Sequence, residues 1–251
     1  MHMQDEIKLI STQASETDIL HPAIGGRGAY YTIKRIADVM LSGCLLLLLL
    51  PLMVLVAIAI YLYSPGPILF AQERVGVKRI RQGKSNYWMQ KNFRCYKFRT
   101  MKVNVDSSIH QNYIRALIEN DQKQMLEIQG CDTSIRKLIN DPRIIRPGKF
   151  LRKFSLDELP QFWNVLRGDM SMIGPRPAIP YEVAMYKPWH LRRLEAQPGI
   201  TGLQQVKARC TANFDEQVKL DLEYIKYQSL WLDIKIALIT PWAVLSGRGA
   251  N

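Results

Sequence analysis

Residues 141–177 read D-P-R-I-I-R-P-G-K-F-L-R-K-F-S-L-D-E-L-P-Q-F-W-N-V-L-R-G-D-M-S-M-I-G-P-R-P and hold the side chains that chemistry on an anion needs. At the centre stand two adjacent carboxylates, Asp157 and Glu158. Five cations precede them, Arg143, Arg146, Lys149, Arg152 and Lys153, and Arg167 and Arg176 follow. Two carboxylates inside so much positive charge suit work on a diphosphate, and a divalent metal ion would complete the charge balance. An ionised carboxylate beside cations can act as a nucleophile toward phosphorus.

These groups need elements to position them. Ser155 with Glu158 three residues on has capping-box spacing, which opens a helix with Leu159, Phe162, Trp163 and Leu166 on its apolar side. Alternatively the helix begins at Pro160, since proline favours the first position. Both readings put Asp157 and Glu158 at a helix N-terminus, where the dipole and unpaired N–H groups favour negative charge. The plainer alternative makes Glu158 a cap and Asp157 an offset to the dipole. Downstream, Pro175 and Pro177 stiffen the backbone around Arg176, a geometry suited to bidentate phosphate recognition. A surface salt bridge is the competing use of that arginine. A second rigid turn follows at Pro198-Gly199-Ile200-Thr201-Gly202.

A long apolar run, 39–63, is interrupted only by Ser42, Gly43 and Pro51. As a helix it is long enough to cross a bilayer. Pro51 predicts a kink or break at its middle. Cations flank both ends, Arg27, Lys34 and Arg35 before and Arg74, Lys78, Arg79 and Arg81 after. The positive-inside tendency then fits both ends on one side, as in a re-entrant hairpin bent at Pro51. A Pro-kinked span is the alternative.

Around these elements the pattern predicts an acidic, mobile tail over 1–28. Short strands are expected at 68–75 and 93–100, joined by a long basic connection, with Lys97 and Arg99 able to face a phosphate. Asp106 caps a helix carrying Ile109, Tyr113, Ala116 and Leu117, and 119–133 reads as helix end and loop. Asn213 and Glu216 repeat the capping box and open a helix through about Tyr227. The apolar stretch 230–245, broken by Asp233, Lys235 and Pro241, fits a helix at the membrane interface or on the core.

Lys and Arg outnumber Asp and Glu by 34 to 22, a net charge of +12 that calls for an anionic partner. Nucleic acid is disfavoured, because the chain has neither a helix-turn-helix signature nor a basic stripe interleaved with aromatics. Cys44, Cys95, Cys131 and Cys210 lack zinc-ligand spacing and fit a reduced, cytoplasmic setting. A non-catalytic membrane-anchored scaffold is the rival to an enzyme.

Taken in order, several segments form one pattern over 31–250. They are Lys34-Arg35 before a proline-interrupted apolar helix, Ser64-Pro65-Gly66-Pro67, Gln72-Glu73-Arg74-Val75-Gly76 and Tyr96-Lys97-Phe98-Arg99. Asp141-Pro142-Arg143, Leu151-Arg152-Lys153, Ser155-Leu156-Asp157-Glu158-Leu159-Pro160-Gln161 and Gly168-Asp169-Met170-Ser171 follow. Gly174-Pro175-Arg176-Pro177, the 198–202 turn and Ser246-Gly247-Arg248-Gly249 complete it. The pattern resembles the bacterial polyprenyl-phosphate sugar-1-phosphate transferases, the monotopic phosphoglycosyl transferases.

That resemblance implies an α+β, mostly helical fold in three parts. These are a tail (1–28), a membrane re-entrant helical hairpin (29–64), and a small cytoplasmic catalytic domain (65–251) with a short β-hairpin and interfacial amphipathic helices. It places the chain at the cytoplasmic face of the bacterial inner membrane and is compatible with a homodimer. The implied reaction moves a sugar 1-phosphate from a nucleoside diphosphate sugar, usually UDP-linked, to polyprenyl phosphate, initiating exopolysaccharide, capsule, O-antigen or glycoconjugate synthesis. Asp157 would be the nucleophile, Glu158 the Mg²⁺ ligand, and Arg152 and Arg176 the phosphate grips. Three positions depart from the family pattern: Leu50 where Ser often precedes the proline, Gln204 for a frequent Trp, and Ala208 for a usual Gly. Insertions at 81–92 and 103–140 enlarge the domain.

Overall fold

The computed structural model describes residues 20–22, 27–83, 85–103, 108–129, 143–208 and 212–245, and shows a mostly helical α+β architecture. The apolar run folds into one long helix, α1 (Gly28–Tyr63), long and apolar enough to cross a membrane, rather than into two helices broken at Pro51. Pro51 lies inside it and does not end it. A proline removes a single backbone donor, so helical bonding resumes beyond it.

The rest of the chain holds α1 at both ends. Near its start, the Arg27 guanidinium donates to the carbonyls of Ile225 and Lys226, and that of Arg35 to those of Val165 and Leu166. Asp38 accepts from Met172 N at 3.0 Å. Near its other end, Val56 and Ile60 are buried against Phe98, Ile145 and Leu151. Between these anchors Leu47, Leu48 and Leu50 stand exposed.

Strands β2 (Leu69–Gln82) and β3 (Ser85–Phe98) form one antiparallel hairpin, in register from Leu69 opposite Phe98 to Gln82 opposite Ser85. This corrects the expectation of two short strands with a long loop. The basic segment continues the ladder to a turn at Gly83, whose φ of 62° suits glycine. Its apolar alternation is weak because much of its stabilisation comes from cross-strand pairing, which propensity reads poorly. Part of the tail is also ordered: β1 (Leu20–Pro22) pairs with β3 at Tyr87, Trp88 and Met89.

Helix α2 (Ser108–Glu119) buries Tyr113, Ala116 and Leu117 as expected, but leaves Ile109 exposed. Asp106 lies outside the described residues. Where a loop was expected, α3 (Gln122–Gln129) forms, with Asp121 Oδ1 accepting from Gln124 N at 3.1 Å as its cap. Met125 joins Tyr113, Leu117, Phe214 and Val218 in one apolar cluster.

The site is carried by α4 (Arg146–Lys153), a 3₁₀ turn (Leu156–Glu158) and α5 (Gln161–Arg167). Beyond it, β4 (Ser171–Ile173) and β5 (Gly199–Thr201) pair in parallel. A side chain at Gly199 would meet Gly174 N at 2.1 Å, so glycine alone allows this crossing. A short α6 (Pro180–Val183), a second 3₁₀ turn (His190–Leu194) and α7 (Leu203–Lys207) lead to α8 (Phe214–Tyr227). The capping box of α8 is realised: Asn213 Oδ1 accepts from Glu216 N at 2.8 Å, and Glu216 Oε2 from Asn213 N at 2.9 Å. Finally α9 (Leu230–Leu245) buries Ile236 and turns Trp231, Leu238 and Trp242 outward.

Candidate active site

The Asp157–Glu158 pair is set by a backbone reversal rather than by a helix cap. Ser155 adopts a left-handed conformation (φ 56°) and its side chain makes no capping bond. A capping serine needs extended backbone angles, so the expected box cannot form. Instead Glu158 N donates to Ser155 O at 3.1 Å, closing the 3₁₀ turn. Helix α5 then starts at Gln161, with Pro160 one position before it. Leu156 and Leu159 pack on the Val56–Ile60–Phe98 cluster beneath the turn, and Asp157 between them is 9% exposed. Trp163, expected on the buried side of α5, is exposed.

Asn164, fully buried, fastens α5 to β3. Its Oδ1 accepts from Tyr96 N at 3.0 Å and its Nδ2 donates to Arg94 O at 2.7 Å. The strand residue after Tyr96 is Lys97, whose Nζ donates to Glu158 Oε1 at 2.7 Å. The amide therefore sets the register between the lysine and the carboxylate. Sequence reasoning passed over Asn164, although a lone polar residue between Trp163 and Val165 was a usable signal.

The two carboxyls differ in environment. Burial, and then the charge of Glu158, push the Asp157 carboxyl up to about 6, against the pull of Lys97 and Arg152. Burial also pushes Glu158 up, but Lys97, Arg176 and Arg74 together hold it below its ordinary value. Neighbouring carboxyls whose proton affinities are driven apart are a common mark of acid, base or nucleophile roles. Arg152, whose charge reaches Asp157, keeps a buried Nη1 without a hydrogen-bond partner. A buried donor left in this state calls for an acceptor that the fold does not supply.

Arg176 is exposed on its proline-bracketed loop, and the loop is fixed to the hairpin. Arg74 Nη1 donates to Pro177 O at 2.8 Å, and Val75 N to Ala178 O at 2.8 Å. Burial and the nearby Arg176 lower the proton affinity of Arg74. Arg74, read from sequence only as a membrane-flanking cation, is thus the brace of this loop.

Asp157, Glu158, Lys97, Arg152 and Arg176 form one electrostatic group, but Arg99 does not join it. Its guanidinium donates to the carbonyls of Ser64 and Pro65, which follow the end of α1, and so replaces the expected phosphate contact with a structural one. Carbonyls at a helix end need donors, and Arg99 supplies them. Pro51 is exposed within α1 and takes no part in the site. A cleft of about 430 Å3 opens elsewhere, lined by Lys34, Lys78, Arg79, Trp88 and Gln197 among others but by neither carboxylate. No group of three His, Cys, Asp or Glu side chains suited to a metal occurs among the described residues. Two adjacent carboxylates nevertheless match Mg²⁺, which takes one or two protein carboxylates and completes its shell with water and phosphate oxygens.

A model of the family described as bacterial sugar transferase matches residues 29–247. The chain is 44% identical over 187 residues to the galactosyl transferase CpsE of Streptococcus agalactiae serotype III, covering 74% of this chain and 36% of that protein. It is 42% identical over 185 residues to the undecaprenyl-phosphate galactose phosphotransferase of Salmonella typhimurium, covering 74% and 35%. It thus spans about a third of the length of these two relatives. With the exopolysaccharide production protein ExoY of Rhizobium meliloti it shares 34% identity over 235 residues, 94% of this chain and 92% of that protein. Since the family match runs from the first turn of α1 beyond the end of α9 and takes in the whole carboxylate site, the chain belongs to the bacterial sugar transferase family.

Proposed function

We propose that this protein transfers a sugar 1-phosphate from a nucleoside diphosphate sugar, with UDP as the nucleotide carrier, to a polyprenyl phosphate, the step that initiates an exopolysaccharide or capsule. The observation that carries the reading is the buried Asp157 beside Glu158, with Lys97 and the unpartnered Arg152 Nη1 around them. A Asp157 carboxylate oxygen attacks the phosphorus that bears the sugar. The bond from that phosphorus to the nucleotide's phosphate oxygen breaks, and UMP leaves. A phosphate oxygen of the lipid then attacks the same phosphorus, the bond to Asp157 breaks, and polyprenyl diphosphate sugar is released with the carboxylate restored. Arg152 and Arg176 hold phosphate oxygens through both steps, and such positioned cations each lower the barrier by a few kcal/mol. Glu158, with Asp157 beside it, would hold Mg²⁺, whose chemistry here is to offset charge on the diphosphate.

The catalytic body is proposed to sit on the cytoplasmic face of the bacterial inner membrane, and the way α1 is held supports a re-entrant insertion. One folded body grips both ends of the helix and leaves its middle leucines exposed. Laid straight, 36 residues would measure about 54 Å against a hydrocarbon core of roughly 30 Å. A bend at Pro51 lets the apolar middle enter the bilayer while both ends stay with the body. The outward Trp231 and Trp242 of α9 suit the head-group level. A polyprenyl phosphate and a soluble nucleotide sugar can then meet at Asp157. The test is UMP release by purified, detergent-held protein with polyprenyl phosphate, Mg²⁺ and a panel of nucleotide sugars. Turnover with one donor that disappears in Asp157→Asn supports the reading; turnover that survives the substitution overturns the nucleophile, and none with any donor favours a scaffold.

A further inference from the structure

Beside the cationic group around Glu158 lie two rings that carry no charge of their own. Tyr181 follows Arg176 by five residues and lies in the first turn of α6. His110 reaches it from α2. Tyr181 OH and His110 Nδ1 are hydrogen-bonded at 2.8 Å, and the rings meet edge to face with centroids 6.5 Å apart.

Both rings are electrically part of the site. After burial, the Glu182 carboxylate is the strongest influence on both His110 and Tyr181; Arg74, Arg143 and Arg176 act on both rings too, and Arg74 and Arg176 act on Glu158 as well. Burial favours the neutral imidazole and the neutral phenol. The nearby carboxylate of Glu182 is turned back on its own helix, where Oε2 accepts from Ile179 N at 3.1 Å. Next to guanidinium groups suited to a diphosphate, the protein therefore presents two neutral, half-buried rings with polar tips. Such surfaces pair with hydroxyl and N–H groups and stack on ring faces.

Resting on the transfer reaction above, we propose that His110 and Tyr181 form the subsite for an uncharged ring of the donor that adjoins its diphosphate. Either ring of the donor, sugar or nucleobase, has the required chemistry, and the experiment separates them. Tyr181→Phe and His110→Gln are assayed as full-length, detergent-held protein against UDP-sugars that differ at one hydroxyl, with UMP as product inhibitor and melting temperature as control. A pocket built to hydrogen-bond a hydroxyl discriminates strongly, so removal of its partner should change the kcat/KM ratio between two such sugars by about tenfold or more. That change, with UMP inhibition unaltered, assigns the sugar. Tenfold weaker UMP inhibition with the sugar ratio preserved assigns the base. If both variants keep the wild-type sugar ratio and UMP inhibition, whether or not the melting temperature falls, the pair only fastens α2 to α6 and the proposal is overturned. Absence of UMP release by the wild type with every donor instead removes the transfer reading, and this proposal with it.

Discussion

Lys97→Met keeps the length of the side chain and removes its charge. In the protein Lys97 Nζ lies 2.7 Å from Glu158 Oε1, with side chains 22% and 30% exposed, so the pair is only partly screened. A hydrogen bond to a charged group contributes about 1.5–3 kcal/mol, and ~1.4 kcal/mol corresponds to one pKa unit. Loss of the ammonium should therefore raise the Glu158 pKa, since Lys97 is the strongest of the charges that hold it down. The same charge also opposes the upward push on Asp157, so both carboxyls move in one direction. Lys97 favours the ionised forms; without it the protonated, inactive forms persist to higher pH. Because the two groups titrate together, the measurable quantity is the acid limb of the pair. Initial rates of UMP release from roughly pH 5 to 9, with donor well below its KM so that kcat/KM is read, give that limb for the free enzyme. The wild-type rate should fall as the pH drops through about 6 and below, following the Asp157 carboxyl. The limb of Lys97→Met should lie at clearly higher pH than that of the wild type, with the rate recovering at alkaline pH. An unmoved limb with a raised KM would refute this reasoning and make Lys97 a donor-phosphate ligand.

Three further outcomes are expected. Asn164→Leu strands Tyr96 N–H and Arg94 O in a buried place, at about 1–3 kcal/mol each, and should lower the melting temperature by several degrees; a shift within about 2 °C would show that the amide does not fasten α5 to β3. Arg152→Met should reduce kcat/KM roughly a hundredfold with little change in melting temperature, because Nη1 has no partner within the fold; a near-normal rate would remove Arg152 from the phosphate grip. Cysteines placed at Asp5 and at the exposed Ile109 should react with an impermeant thiol reagent from the same side of the membrane, and labelling from opposite sides would exclude the re-entrant helix.

What could be read from the chain alone was what depends on near neighbours. The Asn213–Glu216 box bonds across three residues, so its residue types suffice, and it formed with both hydrogen bonds in place. Asp121 capping α3 is equally local and was overlooked amid the polar stretch around it. The Ser155–Glu158 spacing is the same signal, yet the chain must turn sharply out of α4, and the left-handed Ser155 that achieves this excludes the cap. The structural bonds of Arg99 were not legible because its partners, the carbonyls of Ser64 and Pro65, lie more than thirty residues earlier. Asp157, Glu158, Lys97 and Arg152 stand out in the sequence by residue type, whereas Asn164 and Arg74 act through backbone contacts between distant segments. Those contacts exist only once the hairpin is laid against α5 and the Arg176 loop.

The central claim is that the Asp157 carboxylate carries the phosphorylated sugar between donor and lipid. Intact-protein mass spectrometry after incubation with the active donor and Mg²⁺, without polyprenyl phosphate, tests it most directly. The account predicts a mass increase equal to one sugar phosphate, located on the peptide containing Asp157, absent from Asp157→Asn and discharged when polyprenyl phosphate is added. An unmodified enzyme under conditions that support turnover, or an adduct that persists in Asp157→Asn, would contradict it.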